Sequence, residues 1–270
     1  MGAMETINSP ANARLRALVR LRRRRDRDAA GVTLVDGVEE TSLALRSGAR
    51  MREAYWCPDL DDGRAAPLLD ALSERGVPLV QLSRVAFEKV AYREGPDGML
   101  AVLEAPGAPL SSFDPASPEF LLLAEHVEKP GNLGAILRTA DAAGVDGVIA
   151  ADPVTDWGNP NVVRGSKGAV FSVPVVSAGS EETLDWLRAR SIALVAATPD
   201  TDVLHTDADL TGPIAIAVGA EKEGLSPQML DDADIRVRIP MVGHVDSLNV
   251  ATSAAILLYE AVRQRARRHD

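Results

Sequence analysis

The second half of the chain contains short apolar stretches that alternate with segments of helical periodicity. Apolar residues that follow one another, instead of alternating with polar ones, indicate strands that are buried on both faces. Such strands are typical of an open parallel sheet with helices on either side, whose ligands bind beyond the carboxyl ends of the strands. We therefore predict an α/β fold of this kind. The predicted strands are residues 120–124, 147–151, 173–176, 192–197, 214–218 and 235–239.

A smaller α/β unit is predicted ahead of this sheet. The stretch EAPGAPLSSFDPASPE, residues 104–119, is rich in Pro, Ser, Gly and Ala and has no helical or strand period, so it is typical of a linker. A chain of 270 residues is long enough for two domains. We predict a first domain at 1–106, a linker at 107–117 and a second domain at 118–270. The first domain is predicted to hold helices at 10–25, 39–47 and 65–75 and strands at 32–35, 53–57 and 78–81.

The composition argues against several classes of protein. A single cysteine excludes an internal disulfide framework, and four scattered histidines give no metal-ligand spacing. No apolar run approaches the roughly 20 residues of a membrane span, and no signal peptide pattern opens the chain. We therefore expect a cytoplasmic protein without a metal and without a membrane partner.

Basic residues are concentrated at the two ends of an acidic chain. The net charge is -10, yet the first 27 residues hold eight arginines against two acids, Glu5 and Asp26, which leaves that segment at +6. Solvated helix faces would explain such a cluster, and so would a surface that contacts nucleic-acid phosphates. The concentration of arginine favours the second interpretation. The candidate RNA-binding residues are Arg14, Arg16, Arg20, Arg22 and Arg23, and the C-terminus adds Arg263, Arg265, Arg267 and Arg268.

A first motif, EHVEKPGNLGAILRTADAAG at 125–144, directly follows the predicted strand FLLLA. Its Pro-Gly-Asn turn opens a helix whose apolar face ends before Gly144, a typical cap position. Asn132 could be a helix cap and Arg138 could pair with Asp141 at i+3, or both could serve a ligand site. The turn has neither a GxGxxG pattern nor the Gly-Lys-Ser/Thr ending of a phosphate loop, which argues against a nicotinamide-dependent oxidoreductase and an NTPase.

Two further motifs follow the predicted strands at 214–218 and 235–239. In VGAEKEGLSPQML, Gly219 allows tight backbone geometry and Glu221 brings a carboxylate to a strand end. In IPMVGHVDSLNVATSAAILLYEAV, Asp246 or Ser247 is predicted to cap a helix that starts at residue 248. Asn249 is harder to explain by capping alone.

Together the three motifs resemble the signature motifs of the SpoU/TrmH family of RNA ribose 2'-O-methyltransferases, within the SPOUT superfamily. The resemblance covers the whole second domain. The N-terminal stretches SPANARLRALVRLRRRR and VTLVDGVEETSLALRSGA resemble the ribosomal-protein-like substrate-binding domain of the same family. The resemblance implies a parallel sheet with a deep trefoil knot, a homodimer, and S-adenosylmethionine as methyl donor.

The resemblance also assigns residues to the site. Arg138 and Asn132 are expected on the substrate side, where Arg138 binds a phosphate and stabilises the developing alkoxide, since a guanidinium stays protonated with a pKa above about 12. Glu221 is expected to fix the knot loops. Ser247 and Asn249 are expected beside the cofactor. The cofactor-binding residues implied by the resemblance are Thr198, Pro199, Gly219, Ile239, Met241 and Leu248.

The leading hypothesis is methylation of 23S ribosomal RNA, because family members that act on transfer RNA often lack a separate basic N-terminal domain. A transfer RNA methyltransferase is the alternative within the same class. A non-catalytic RNA-binding or ribosome-assembly factor is the alternative from another class, although it would not need Asn132, Arg138, Glu221, Ser247 and Asn249 together. The resemblance leaves open whether such an enzyme serves ribosome maturation or resistance to a ribosome-targeting antibiotic.

Overall fold

A computed structural model describes residues 4–114 and 120–267 and divides the chain into two compact units. Unit 1 comprises Met1–Pro106 together with Asp156–Ser172, and unit 2 comprises Gly107–Thr155 and Val173–Asp270. The segment Asp156–Ser172 lies inside the second domain in sequence, but it makes its contacts with unit 1. Within the described ranges, no helix is long and apolar enough to cross a membrane.

Unit 1 is built on a mixed sheet of five strands in the order β1-β4-β3-β5-β2. Strands β1 and β3 run parallel to β4, whereas β5 is antiparallel to β2 and β3. The core between the sheet and the helices contains fully buried Leu15, Tyr55 and Phe87. The strands are β1 Glu5–Ile7, β2 Val32–Asp36, β3 Met51–Trp56, β4 Leu79–Leu82 and β5 Met99–Glu104, and the helices are α1 Ala13–Arg20, α2 Arg24–Ala30, α3 Val38–Arg46, α4 Ala66–Glu74 and α5 Arg84–Val90.

The predicted elements of unit 1 are present within two residues of their expected ends, with one exception. The single basic helix predicted at 10–25 is wrong, because the chain forms α1 and α2 with a break between them. In a continuous helix, the carbonyls of Leu21 and Arg22 would accept backbone N–H groups four residues on. Here both carbonyls accept the Nη1 of buried Arg27, at 3.2 and 3.1 Å, so the helical ladder is interrupted. Strands β1 and β5 and helix α5 were not predicted.

Unit 2 is built on a sheet of seven strands, all parallel, in the order β12-β10-β11-β7-β8-β9-β6. The predicted parallel sheet is therefore confirmed, and all six predicted strands lie within two residues of their expected ends. The strands are β6 Ala108–Pro109, β7 Phe120–Glu125, β8 Gly147–Ala151, β9 Val175–Ala178, β10 Ala193–Ala197, β11 Ile214–Val218 and β12 Ile235–Val237, and the helices of the unit are α6 Pro130–Ala143, α8 Ser180–Ala189, α9 Pro227–Asp231 and α10 Val250–Ala266. A further short helix, α7 Pro160–Gly165, belongs to unit 1.

Part of the predicted linker is folded. Strand β6 pairs with β9 and extends the sheet of unit 2, and a 3-10 turn follows at Leu110–Ser112. Leu110 and Phe113 are buried in the core of this unit, where Phe113 stacks on Trp186 with ring centroids 5.5 Å apart. The apolar side chains among the prolines therefore anchor this segment. Residues 115–117 of the predicted linker lie outside the described residues.

Candidate active site

The three motifs follow the carboxyl ends of β7, β11 and β12, so their loops lie at one edge of the sheet of unit 2. Helix α6 begins after β7 with Lys129 at its N-cap position and Pro130 at N1, and it ends at Gly144 in a left-handed conformation. Asn132 lies in the first turn. No side chain caps α6; the Nδ2 of Asn132 instead donates to the Oε1 of Glu221 at 2.7 Å. Helix capping therefore does not account for Asn132.

Asn249, rather than the predicted Asp246 or Ser247, caps the C-terminal helix, which starts at Val250. Its Oδ1 accepts a hydrogen bond from the backbone N–H of Ala251 at 3.0 Å. Because this cap occupies the oxygen, the Nδ2 of Asn249 is left to face the other motifs. It donates to the Oδ1 of Asn132 at 3.1 Å and to the Oε1 of Glu221 at 3.0 Å. The cap thus fixes the orientation of both amides.

The carboxylate of Glu221 joins the three motif loops. It forms an ion pair with Lys129 and accepts hydrogen bonds from Asn132 and Asn249. The ammonium of Lys129 and then the amide of Asn132 hold the pKa of Glu221 below its ordinary value. Glu221 is therefore ionised at neutral pH. We call Lys129, Asn132, Glu221 and Asn249 the motif network.

The loop that carries Glu221 lines two cavities. One, the network cavity, has a volume of about 310 Å³ and is lined by Lys129, Asn132 and Glu221. The other, the strand-end cavity, has a volume of about 440 Å³ and lies beyond β10 and β11. Residues 220–223 line both. Of the residues predicted to bind a cofactor or to lie beside it, the strand-end cavity is lined by Thr198, Pro199, Gly219, Ser247 and Leu248, and a smaller neighbouring cavity of about 120 Å³ is lined by Thr198, Pro199, Ile239, Met241, Ser247 and Leu248.

Gly219 is the position in this loop where only glycine fits. Ala220 and Gly224 exchange two backbone hydrogen bonds of 3.0 Å, which fold the loop back onto Gly219. A Cβ at Gly219 would lie 2.1 Å from the backbone carbon and oxygen of Gly224. Gly224 itself has φ of 71°, in the left-handed region that favours glycine. The two glycines allow a tight turn that borders the strand-end cavity without side chains to fill it.

Arg138 does not join the motif network. It is exposed, donates to no residue of the described ranges, and lines neither cavity. Six positions separate it from Asn132 on the same helix, which corresponds to about 9 Å along the axis and about 120° around it. The predicted substrate-side pair, Asn132 and Arg138, is therefore not brought together within one chain.

The arginines proposed to bind RNA, all in unit 1, differ in their surroundings. Arg14 is held inside the unit by Glu5, Glu53 and the hydroxyl of Tyr55. Arg22 donates to the backbone carbonyl of Ala91 at 2.7 Å. These contacts make both residues poorer candidates for phosphate binding. The side chains of the other three are exposed and form neither a hydrogen bond nor an ion pair with a residue that the structure describes: Arg16, Arg20 and Arg23.

The sequence-based prediction did not include Lys129. It precedes Pro130 at the start of α6, and its ammonium is the cation in contact with Glu221. A lysine next to proline at the beginning of a helix carries no distinctive pattern. The available signal was its charge, opposite to that of a carboxylate on a neighbouring motif loop.

A parallel α/β sheet with a ligand-sized cavity and a polar network beyond its strand ends defines an α/β protein with a small-molecule site. Residues 119–259 match the SpoU rRNA Methylase family, and residues 12–101 match the MRM3-like substrate binding domain. The chain therefore belongs to the SpoU rRNA methylase family.

Individual relatives are similar over nearly the full length. The 23S rRNA (uridine(2479)-2'-O)-methyltransferase of Streptomyces viridochromogenes is 36% identical over 90% of this chain and 86% of its own. The 23S rRNA (guanosine(2553)-2'-O)-methyltransferase RlmP of Bacillus subtilis is 30% identical over 95% of this chain and 98% of its own. The crystal structure of the SpoU methyltransferase AviRb from S. viridochromogenes, in complex with the cofactor AdoMet, covers 95% of this chain and 100% of its own, with a TM-score of 0.85 and 34% identity.

Proposed function

We propose that this chain is an RNA methyltransferase that uses S-adenosylmethionine to methylate a ribose 2'-hydroxyl of 23S ribosomal RNA in the cytoplasm. The observation that carries the proposal is the motif network, in which residues from all three motifs meet beside two adjoining cavities. Two relatives similar over nearly the full length bear the names of 23S rRNA 2'-O-methyltransferases. They differ in the named base, so the base preference of this chain does not follow from them.

The strand-end cavity fits the methyl donor. Its volume of about 440 Å³ lies within the usual range for small-ligand sites, and Gly219, which lines it, adds no side chain that would fill it. When bound, S-adenosylmethionine supplies a methyl group on a positively charged sulfur. The residues proposed to hold it are Thr198, Pro199, Gly219, Ile239, Met241 and Leu248, with Ser247 beside it.

The motif network is proposed to position the ribose. Glu221 holds Asn132 and Asn249, and Asn132 presents its amide to the network cavity, where it orients the ribose hydroxyl. The lowered pKa of Glu221 makes its carboxylate a poor acceptor for the hydroxyl proton, so Glu221 acts as a positioning group. Holding reactants in line can supply roughly 7 to 11 kcal/mol of barrier reduction. The ribose hydroxyl would release its proton to solvent water as its oxygen bonds to the methyl carbon.

Arg138 is proposed to act in the site of a second copy of the chain. It lies about 120° around α6 from Asn132, so it serves the reaction only if it faces another subunit's cavity. There the guanidinium would bind the phosphate next to the target ribose and stabilise the developing alkoxide. This proposal requires a homodimer with shared sites. If light scattering shows that the protein is a monomer at a concentration at which it is active, the proposal is contradicted.

We also infer that the chain of unit 2 is threaded as a trefoil knot. Strand β12 lies at the sheet edge beside β10, whereas α10 packs against α6 and β11 nearer the centre. The loop between them, residues 238–249, must therefore return across the ends of β10 and β11, where their own loops also run. This route supports threading of the C-terminal helix through those loops.

The proposed activity can be tested with S-adenosylmethionine that carries a labelled methyl group. We expect incorporation into deproteinised 23S ribosomal RNA fragments and a single 2'-O-methyl stop by primer extension. Incorporation into transfer RNA alone would favour the transfer RNA alternative. Binding of RNA without incorporation into any RNA would favour the non-catalytic factor.

Arg138→Ala separates methyl transfer from cofactor binding. We expect loss of methyl transfer with nearly unchanged affinity for S-adenosylhomocysteine, measured by calorimetry, because Arg138 does not line the strand-end cavity. Arg188→Ala is a matched control, since Arg188 is an exposed arginine of unit 2 that pairs with Asp185 and Asp232. Equal loss of transfer and cofactor affinity in Arg138→Ala would contradict the assigned role.

A further inference from the structure

A carboxylate without a cation is buried at the end of β7. Glu125 is fully buried, and its partners in the described part of the chain are serine hydroxyls and a backbone N–H, with no lysine, arginine or histidine among them. Its Oε1 accepts from the hydroxyls of Ser180 at 2.9 Å and Ser226 at 2.7 Å, and its Oε2 accepts from the backbone N–H of Ser226 at 2.7 Å. A carboxylate is costly to remove from water, so its burial among three neutral donors requires close geometry.

Both serines begin a helix. Ser180 is the first residue of α8, and Ser226 caps α9, because its Oγ accepts from the backbone N–H of Met229 at 3.2 Å. The hydroxyl of Ser226 thus accepts from its own helix and donates to Glu125. The carboxylate therefore ties the end of β7 to the starts of two helices that follow other strands of the sheet.

The same contact fixes the loop that borders the strand-end cavity. That loop, residues 219–225, begins where Val218 pairs with Ala124 in the sheet, and it ends at Ser226, which is held by the next residue of β7, Glu125. Both ends of the loop are thus attached to consecutive residues of one strand. Inside the loop, Gly219 packs against the backbone of Gly224 with no room for a Cβ. A shift of Ser226 would therefore open the turn that borders the cavity.

We propose that Glu125 is a positioning residue for the methyl-donor site, which acts by holding the loop 219–225 closed against the strand-end cavity. The inference rests on the proposed function, since it takes this cavity to be the site of S-adenosylmethionine. Glu125 does not line the cavity and acts through Ser226.

The test compares two variants that differ in whether they keep an acceptor for the backbone N–H of Ser226. Glu125→Met removes every acceptor from the backbone N–H of Ser226. Glu125→Gln keeps a carbonyl for that N–H, and the two serine hydroxyls can rotate to accept from the new amide. Loss of one such hydrogen bond corresponds to about a tenfold change in affinity. We expect the Kd for S-adenosylhomocysteine to rise about tenfold in the Met variant and less than about threefold in the Gln variant.

A control at the other end of the same strand separates positioning from general stability. Asp146 accepts from the backbone N–H of Phe120, the first residue of β7, at 2.9 Å. Asp146→Ala removes the same kind of contact far from the cavity, so it should lower the melting temperature without changing the Kd. Hydrogen exchange of residues 219–225 should rise in Glu125→Met and stay unchanged in Asp146→Ala. With labelled methyl donor, Glu125→Met should raise KM for the donor more than it lowers kcat.

Equal effects of Glu125→Met and Asp146→Ala on the Kd, or unchanged exchange of the loop, would overturn the inference. If Glu125→Met does not fold, Ser226→Ala keeps the backbone contact with Glu125 but removes both contacts of the Ser226 hydroxyl, to Glu125 and to the backbone N–H of Met229. This variant should also raise the Kd about tenfold; an unchanged Kd would again overturn the inference. If the wild-type protein does not bind S-adenosylhomocysteine, the proposed donor site itself is refuted. If the wild type binds it and the Glu125 variants bind it equally well, only the role of Glu125 is refuted.

Discussion

Asp156→Ala is expected to destabilise unit 1 strongly, because it removes the partner of a buried guanidinium. The Arg27 side chain is only 3% exposed, and its Nη2 donates to both carboxylate oxygens of Asp156, at 3.0 and 2.7 Å. Its Nη1 donates to the carbonyls of Leu21 and Arg22. Without Asp156, the charge stays in place with half of its hydrogen bonds lost.

The magnitude follows from the burial of the pair. Breaking a buried ion pair by removing one partner costs about 3–5 kcal/mol. The Asp156 side chain is 16% exposed, so water reaches part of the site and we expect a cost near the lower limit, about 3 kcal/mol. Replacement of both partners by apolar residues, in Arg27→Met with Asp156→Leu, should restore much of this loss, since no buried charge then remains.

Urea unfolding monitored by tryptophan fluorescence measures this cost. Trp56 and Trp157 lie in unit 1 and Trp186 lies in unit 2, so a Trp186→Phe background reports on unit 1 alone. With an m-value of about 2 kcal/mol per M, the midpoint should fall by about 1.5 M. As a control, Asp28→Ala breaks the exposed pair of Asp28 with Arg24 and should cost less than about 0.5 kcal/mol.

Two results would refute this reasoning. A cost of Asp156→Ala below about 1 kcal/mol would show that the guanidinium of Arg27 is solvated after the change. If the double variant loses as much unfolding free energy as the two single variants lose together, the two charges are not coupled.

Three further outcomes are expected. Gly219→Ala should lower the affinity for S-adenosylhomocysteine by at least about tenfold in calorimetry, because the new Cβ would lie 2.1 Å from backbone atoms of the facing loop. Arg263 lowers the pKa of Glu260 from the ordinary 4.5 to about 2 in the folded protein. Because the folded-state pKa is the lower one, the ionised Glu260 stabilises the fold above pH 4.5, and this stabilisation is lost as the pH falls from 4.5 toward 2. Glu260→Gln should therefore reduce the acid loss of stability, measured by urea unfolding at pH 3 and pH 6. In filter-binding assays, Arg20→Ala should reduce the slope of the logarithm of the RNA-binding constant against the logarithm of salt concentration by about one. Arg14→Ala should instead lower the urea midpoint of unfolding, since Arg14 pairs with acids inside unit 1.

The sheet of unit 2 could be predicted because its strands carry their own signal. Strands β7, β8 and β11 consist almost wholly of apolar residues and are buried along their whole length, so their position depends little on their neighbours in sequence. Strand β6 has no such signal, since Ala108 and Pro109 are both exposed and one of them lacks a backbone donor. It is a strand only because β9 offers a free edge and because Leu110 and Phe113 hold the next residues in the core.

The break between α1 and α2 could not be predicted from local sequence patterns. Residues 10–25 have the composition of one basic helix, and nothing near them predicts an interruption. The interruption depends on Arg27, whose guanidinium binds the carbonyls of the break, and on Asp156, 129 positions further along the chain. A contact of this kind is decided by tertiary packing, which overrides helix propensity.

In the candidate site, a polar residue at the start of a helix can serve as a cap or position a ligand, and Asn249 combines a cap with contacts to the other motifs. Its oxygen satisfies the backbone of α10, which leaves its nitrogen as a donor in a fixed direction toward Asn132 and Glu221. The amide of Asn132 is oriented in turn, so the geometry of the network cavity is set by the first turn of α10. Asn249→Asp would keep the cap but replace both donors by acceptors opposite the Glu221 carboxylate. Such a variant should retain α10 and lose the motif network. It would thereby separate the capping role of Asn249 from its role in the network, which sequence patterns alone do not distinguish.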